Sequence, residues 1–385
     1  MTLYPRFFQE PGVSYFLFGP RGTGKSTLIR KLHADALWID LLQPDLERSL
    51  LSRPEMLLQM IDAEPSKKVI VIDEVQKVPE LLNVVHMVIE QKKGHQFVLT
   101  GSSSRKLKRT GANLLGGRAY RKTLHPFIAS ELGTDFDLEQ SLFRGMLPLL
   151  SHTNDPKSVL EGYISLYLKE EIQAEGLVRN LEQFSRFLDV ISFSHASILN
   201  TTNIARESEI KRSTVSNYID ILEELLLAYQ LPVFEKRASR HLTTHPKFYL
   251  FDCGVFRVLR PKGPLDRPEE IDGAALEGLV SQHLTAWCDY SREKSDLYFW
   301  RTRSDIEVDF IVYGEKSFYA IEVKNAKKVF PHDVKGLKAF LSDYPEAKAL
   351  LLYRGEQKIK MDEVLCLPVN EFLRNLIPNS PLDDV

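Results

Sequence analysis

Gly19-Pro20-Arg21-Gly22-Thr23-Gly24-Lys25-Ser26 spells G-x-x-x-x-G-K-S. It lies between an apolar run, Ser14-Tyr15-Phe16-Leu17-Phe18, and Thr27-Leu28-Ile29-Arg30-Lys31-Leu32, which alternates like the first turns of a helix. A strand, a glycine-rich turn and a helix in that order constrain the chain more than any other stretch. They call for an α/β domain of the P-loop NTPase kind, a parallel sheet with helices on both faces. Glycines let the backbone wrap until successive N–H groups point at one phosphate, and the helix N-terminus adds partial positive charge. Gly19, Pro20, Arg21, Gly22, Thr23, Gly24, Lys25, Ser26 and Thr27 are therefore the expected ATP-binding residues. Lys25 would reach the β- and γ-phosphates, and the Ser26 hydroxyl would hold Mg²⁺.

The second half of such a site is expected where Lys67-Lys68-Val69-Ile70-Val71-Ile72 ends in Asp73-Glu74. A run apolar at every position reads as a parallel strand buried on both faces, so its acids emerge at the C-terminal edge, where open α/β sheets bind ligands. Asp73 would hold Mg²⁺ and Glu74 would orient and activate the attacking water; taken alone, such a pair is also what a helix cap looks like. Gln96 to Ser103 reads as another strand ending at the same edge. Thr100 or Ser102 would sense the γ-phosphate or its water, or simply cap the next helix. Arg105-Lys106-Leu107-Lys108-Arg109 is basic, and Arg118 follows the flexible pair Gly116-Gly117. Arg118 would stabilise transition-state charge, in its own chain or a neighbour's, or form a surface ion pair. Around these strands the pattern places a strand at residues 36–41, a helix over residues 52–64 with a Ser52/Glu55 capping box, and a helix over residues 79–90.

A chain of 385 residues exceeds one ordinary core, and the periodicity changes twice: residues 1–130, 131–240 and 241–385 are the expected domains. With 43% hydrophobic and 26% charged residues and a net charge of −2, a soluble globular protein is expected. Three cysteines without a C-x-x-C pair point to a reducing compartment, and no apolar run is long enough for a membrane helix. The cytoplasm is the expected location. In the middle segment helical spacing covers residues 158–175 and 181–191. Two short helices joined by a turn then follow over residues 198–222, with Ile204, Ala205, Val215, Tyr218, Ile219 and Leu222 facing inward. Lys211, Arg212, Ser213, Thr214, Ser216 and Asn217 would open the second of these helices, the part that can enter a major groove. Such modules also serve as packing or protein-contact domains. The basic stretch Phe234 to His241 and the strand Lys247 to Asp252 would form a two-stranded wing.

In the last segment a helix starting near Gly273 and running to Tyr290 carries Glu277. Two strands follow, Ile306 to Tyr313 and Phe318 to Asn325, with a turn at Gly314. Strand period puts Glu307 and Asp309 on one face and Glu322 and Lys324 on one face of the next strand. If the strands pair, Asp309, Glu322 and Lys324 converge with Glu277. Carboxylates around Mg²⁺ or Mn²⁺ plus a lysine suit phosphodiester hydrolysis, while alternating charge on a half-exposed hairpin gives the same pattern. A helix over residues 331–342, strands at 347–354 and 364–367 and a closing helix over residues 370–377 complete the segment.

Over nearly its full length the chain resembles prokaryotic ATPases of the AAA superfamily that carry a C-terminal restriction-endonuclease-like domain of unknown function. The resemblance rests on Gly19 to Ser26, on Val71-Ile72-Asp73-Glu74-Val75-Gln76, and on Thr100-Gly101-Ser102-Ser103-Ser104 followed by Leu115-Gly116-Gly117-Arg118. It rests also on Glu307-Val308-Asp309-Phe310 followed by Ile321-Glu322-Val323-Lys324. It implies ATP binding and hydrolysis with Mg²⁺, and a restriction-endonuclease-like α/β domain at the C-terminus. Asp309, Glu322 and Lys324 match the acidic-acidic-lysine core of that nuclease superfamily, Glu277 its helix glutamate, and Arg118 the Gly-Arg element. The favoured reading is a cytoplasmic ATPase coupled to a DNA-binding or DNA-processing module. An ATP-gated metal-dependent nuclease and a non-enzymatic nucleotide-switched binding protein stay open. Partners beyond ATP would be duplex DNA, further copies of the chain or another protein, with no membrane.

Overall fold

The structure is a computed structural model, and it describes residues 4–102, 115–151, 153–168, 178, 180–237 and 240–384. The chain divides into two compact units, Phe8–Pro126 with Glu224–Leu227, and Met1–Phe7 with Phe127–Glu223 and Ala228–Val385.

In the first unit five strands, β1 (Tyr15–Phe18), β2 (Leu37–Asp40), β3 (Val69–Asp73), β4 (Gln96–Gly101) and β5 (Tyr120–Thr123), form one parallel sheet in the order β2-β3-β4-β1-β5. Alternation assigns the faces. Phe16, Phe18, Ile70, Ile72, Phe97 and Leu99 pack with α3 (Met56–Ala63) and α4 (Leu81–Glu90). Tyr15, Leu17, Val71 and Val98 pack against Ile29 of α1 (Lys25–Leu32). The inner strands are apolar throughout because both faces are covered. Residues 52–64 are not one helix: α2 (Pro44–Ser52) ends before Pro54, α3 begins at Met56, and Glu55 makes no side-chain cap. Pro54 lacks the N–H that a continuous helix would need there. β5 carries no apolar pattern because Tyr120 and Arg121 are solvent-exposed on the sheet's edge. The basic stretch Arg105 to Arg109 lies outside the described residues.

The second unit holds α5 (Ala129–Leu132), α6 (Leu138–Arg144), α7 (Pro156–Gly162), α8 (Leu181–Ser192), α9 (Thr201–Glu207) and α10 (Arg212–Glu224, whose last residue groups with the first unit). Beyond Leu168, the helix expected to reach Glu175 leaves the described residues. Ile204, Val215, Tyr218, Ile219 and Leu222 are buried, with Tyr218 edge-on to Phe184 and Phe187 of α8. A three-stranded sheet, β6 (Ser197–Ile198), β8 (Lys247–Leu250) and β7 (Ala228–Leu231), accompanies these helices.

β8 therefore pairs with β7, and residues 234–241 are not the second wing strand. Instead Val233 bridges Phe299 and Leu242 bridges Thr302, both at the edge of the next sheet. Phe234 decides this: it is 1% exposed, ringed by Tyr298, Tyr313, Phe318, Phe340 and Tyr344. Burying a phenylalanine is worth about 1.5–3 kcal/mol, more than an exposed hairpin could return. Ala238 and Ser239 lie outside the described residues.

That next sheet has six strands in the order β13-β14-β12-β11-β10-β9: β9 (Ser295–Arg301), β10 (Glu307–Gly314), β11 (Phe318–Lys324), β12 (Lys348–Tyr353), β13 (Ile359–Met361) and β14 (Val364–Pro368). After α11 (Cys253–Leu259), α12 (Pro268–Tyr290) packs on β9 and β11, α13 (Lys335–Asp343) on β10, β11 and β12, and α14 (Val369–Asn375) on β12 and β14. α12 starts earlier than its apolar stripe suggests, with Pro268 in its first turn beside Glu269 and Glu270, residues that suit a helix start. β10 and β11 pair antiparallel from Phe310↔Ile321 to Tyr313↔Phe318, closed by a turn in which Gly314 N–H donates to Ser317 O.

Candidate functional site

The turn after β1 follows the geometry its glycines require. Gly22 and Gly24 sit at φ 82° and 86°, where a side chain would be strained. A Cβ on Gly19 would come 2.4 Å from Leu124 O. Thr23 Oγ1 donates to Pro20 O at 2.8 Å and closes the loop. Lys25, at the start of α1, curls back so that Nζ donates to Gly19 O at 2.6 Å and Pro20 O at 3.2 Å. Its ammonium thus lies over the loop. Ser26 is half-buried beside it and Thr27 is exposed.

β3 ends at the same edge of the sheet, with β4 between it and β1. Strand spacing sets Asp73 roughly 10 Å from the end of β1. Asp73 is 3% exposed, and Thr100 Oγ1 donates to its Oδ1. The same Thr100 oxygen accepts from Glu74 N–H at 3.2 Å, so one hydroxyl ties both acids to β4. Glu74 adopts φ 60°, a left-handed conformation that costs a non-glycine residue energy and turns its carboxylate toward Gln76. Gln76 Nε2 donates to Glu74 Oε2 and, at 3.3 Å, to Ser102 Oγ. Gly101 leaves room for this amide, since a Cβ there would meet Gln76 Oε1 at 2.5 Å. Among the described residues Thr100 and Ser102 serve this network, and no group of three His, Cys, Asp or Glu residues is set to hold a metal ion. Ser26 and Asp73 offer two hard oxygens. That suits Mg²⁺, which keeps several waters and completes its shell with substrate phosphates.

In the second unit Glu277, Asp309, Glu322 and Lys324 do come together, but a lysine stands among them. Lys247 Nζ lies 2.9 Å from Glu277 Oε1, 2.5 Å from Glu307 Oε1 and 3.1 Å from Asp309 Oδ1. Tyr249, on the same face of β8, donates its hydroxyl to Glu277 Oε1 at 2.6 Å. Asp309 Oδ2 accepts from Val323 N–H at 2.9 Å, and Lys324 Nζ donates to Glu322 Oε1 at 2.6 Å. Burial first, then the Asp309 charge, push the Glu277 and Glu322 carboxyls well above the ordinary glutamate value. Burial alone would lower the Lys247 ammonium. Glu277, Tyr249, Asp309 and Glu307 more than reverse this and hold it well above the usual lysine value. The expected second Mg²⁺ or Mn²⁺ site therefore already contains a cation. Lys211, just before α10, and Arg212, Ser213, Ser216 and Asn217 on it are exposed and Thr214 is half-buried, with Arg212 Nε donating to Thr201 Oγ1 of α9 at 3.1 Å.

Comparison with known proteins bears first on the phosphate loop. Residues 13–133 match the AAA domain. That stretch is a nucleotide-binding domain of the P-loop ATPase superfamily. Residues 135–266 match the domain of unknown function DUF8612, and residues 272–372 the domain of unknown function DUF4143. An uncharacterized protein of Mycobacterium tuberculosis and one of Mycobacterium bovis are each 25% identical over 367 residues, 93% of this chain and 80% of theirs. Among solved structures, Pif1 helicase from Candida albicans aligns with 43% of this chain and 51% of its own at 16% identity and a TM-score of 0.22. Protein VC1899 from Vibrio cholerae aligns with 94% of this chain and 96% of its own at 11% identity and a TM-score of 0.22. Scores that low establish no shared architecture. No described helix is long and apolar enough to cross a membrane.

Within the AAA domain Arg118 lies away from the phosphate loop. It precedes β5, whose Tyr120 pairs with Tyr15 at the start of β1, so it sits at the opposite edge of the sheet, roughly 20 Å along the strands from Gly19. There Arg118 Nε donates to Glu90 Oε1 at the end of α4. Pattern reading gave Lys247 and Tyr249 no place at a site, quoted Gln76 without a role, and set Glu307 on the face of Asp309 without assigning it a contact. A signal existed for Lys247: a lysine opening the apolar strand Lys247-Phe248-Tyr249-Leu250 needs a buried acid.

Proposed function

We propose that the chain hydrolyses ATP with Mg²⁺ and that nucleotide state controls a winged-helix module that contacts duplex DNA. The observation that carries the reading is the single Thr100 hydroxyl shared by Asp73 and the Glu74 N–H on the edge where the phosphate loop ends. In this reading Lys25 exchanges its contacts with Gly19 O and Pro20 O for phosphate oxygens, and the loop N–H groups orient the phosphate chain. Ser26 and Asp73 hold Mg²⁺, which when bound neutralises charge on the phosphates. Glu74 orients the attacking water and takes its proton once its carboxylate leaves Gln76 Nε2. Thr100 fixes Asp73 and Glu74 relative to each other, so a change at one is felt along β4. The order α8, β6, α9, α10, β7, β8 with the exposed start of α10 supports the DNA-contacting part.

The test is ATP turnover by wild type and Glu74→Gln, with and without duplex DNA. Turnover is expected to fall at least 100-fold in the variant, about 2.7 kcal/mol of barrier, with nucleotide affinity within threefold of wild type and DNA altering the wild-type rate. Unchanged turnover in Glu74→Gln removes the assignment. No turnover in either protein, with ATP still bound, favours a nucleotide-switched binding protein.

A further inference from the structure

The carboxylate cluster of the second unit is assembled from three elements: Glu277 from α12, Glu307 and Asp309 from β10, and Glu322 from β11. Into it projects Lys247 of β8, which is 2% exposed and touches three of the four acids, while Arg301 of β9 donates to the other oxygen of Glu307 at 2.9 Å. Oxygens that would surround a divalent ion at about 2.0–2.6 Å instead surround an ammonium at 2.5–3.1 Å. Both cations need the same lone pairs. Tyr249 occupies a further lone pair of Glu277 Oε1, so β8 is keyed into the cluster at two positions. Glu322 Oε2 is buried with no hydrogen-bond partner among the described residues, which leaves an unfilled acceptor beside this centre. Lys324 does not fill it, because its ammonium takes Glu322 Oε1.

We propose that Lys247 is the resident cation of this cluster, and that its ammonium excludes a divalent metal ion from Glu277, Asp309 and Glu322. The consequence is specific: the acidic-acidic-lysine set is closed by a lysine of the sheet that accompanies the helix-turn-helix, and metal can enter only if β8 gives up that contact. β8 is joined to α10 through β7, so the residues that would contact DNA and the residue that fills the cluster belong to one stretch of chain. The inference does not depend on nucleotide hydrolysis.

The experiment is a titration of the full chain with Mn²⁺ alone, without nucleotide, read by the loss of the free-ion paramagnetic resonance signal and by thermal unfolding. Wild type is expected to take up no Mn²⁺ that Asp309→Asn abolishes. Lys247→Met is expected to gain one Mn²⁺ per chain, at least tenfold tighter than any wild-type site, and to lose it when Asp309→Asn is added. Unpaired buried acids can prevent Lys247→Met from folding without metal. In that event Mn²⁺ is expected to raise its Tm by roughly 5 °C or more at a hundredfold excess over Kd, with Lys247→Gln, which keeps volume and a donor, read the same way. Equal Mn²⁺ binding by wild type and the Lys247 variants overturns the proposal. So does the absence of any gain, in binding or in Tm, in both variants.

Discussion

His195 and His283 are buried as neutral rings, and their hydrogen bonds fix the tautomers. Leu250 N–H donates to His195 Nδ1 at 3.0 Å. Ala129 N–H donates to His283 Nε2 at 2.9 Å, while His283 Nδ1 gives its proton to Leu279 O at 2.8 Å. A second proton on either ring would face a donor. Burial lowers His195 to about 3 and His283 to about 4. A depressed folded value stabilises the fold above the unfolded pKa, near 6.5, and this stabilisation is lost as pH falls toward the folded one. At pH 5 each ring should cost about 2 kcal/mol. Glu277 and Glu322 act in the opposite sense, because their raised values favour the fold in acid. The clean measurement is therefore a comparison: the loss of unfolding free energy between pH 7 and pH 5 should be about 2 kcal/mol smaller in His283→Gln than in wild type. An equal loss would mean that the ring does not titrate as its bonds require.

At the scale of elements, α10 presents charge and small polar groups while its other face is fixed by Val215, Tyr218, Ile219 and Leu222. Lys and Arg that meet phosphates release counterions. Replacing Lys211 and Arg212 by alanine should weaken duplex binding and reduce the slope of log affinity against log salt by roughly 2. A slope unchanged in the double variant would locate the DNA contact elsewhere. How much of these elements could be read beforehand follows from what each one buries. β1, β3 and β4 are apolar at nearly every position because both faces are covered, and α10 announces itself by its inward stripe. β5, with exposed Tyr120 and Arg121, has no such pattern, since its place is set by pairing with β1 alone. The stretch after β7 misleads for the opposite reason: its charges look like a hairpin tip, yet Phe234 binds it to another core. The phosphate loop and the acids at the end of β3 were legible because their spacing is local. Lys247 was not, since it meets Glu277 and Asp309 across 30 and 62 positions of sequence.

For the molecule as a whole, the position of Arg118 bears on assembly. Paired with Glu90 on the edge away from the phosphate loop, it stands apart from the site of its own chain, which argues against a role there unless a second copy supplies it. As a half-exposed ion pair it should contribute little, within about 1 kcal/mol. Arg118→Ala is therefore expected to keep turnover within twofold, and ATPase activity per chain should not change with protein concentration. A loss of tenfold or more, together with activity that rises with concentration, would reverse this and make neighbouring copies part of the site. The bridges that Val233 and Leu242 make at β9 have a consequence of their own. By pairing at Phe299 and Thr302 they occupy part of one of the two borders at which the six-stranded sheet could recruit a foreign strand. The remaining border is the three-residue β13, where Lys358 and Lys360 flank Ile359 and repel a copy of themselves. Crowded solutions of this chain should thus resist fibril formation for as long as Val233 and Leu242 keep those bridges.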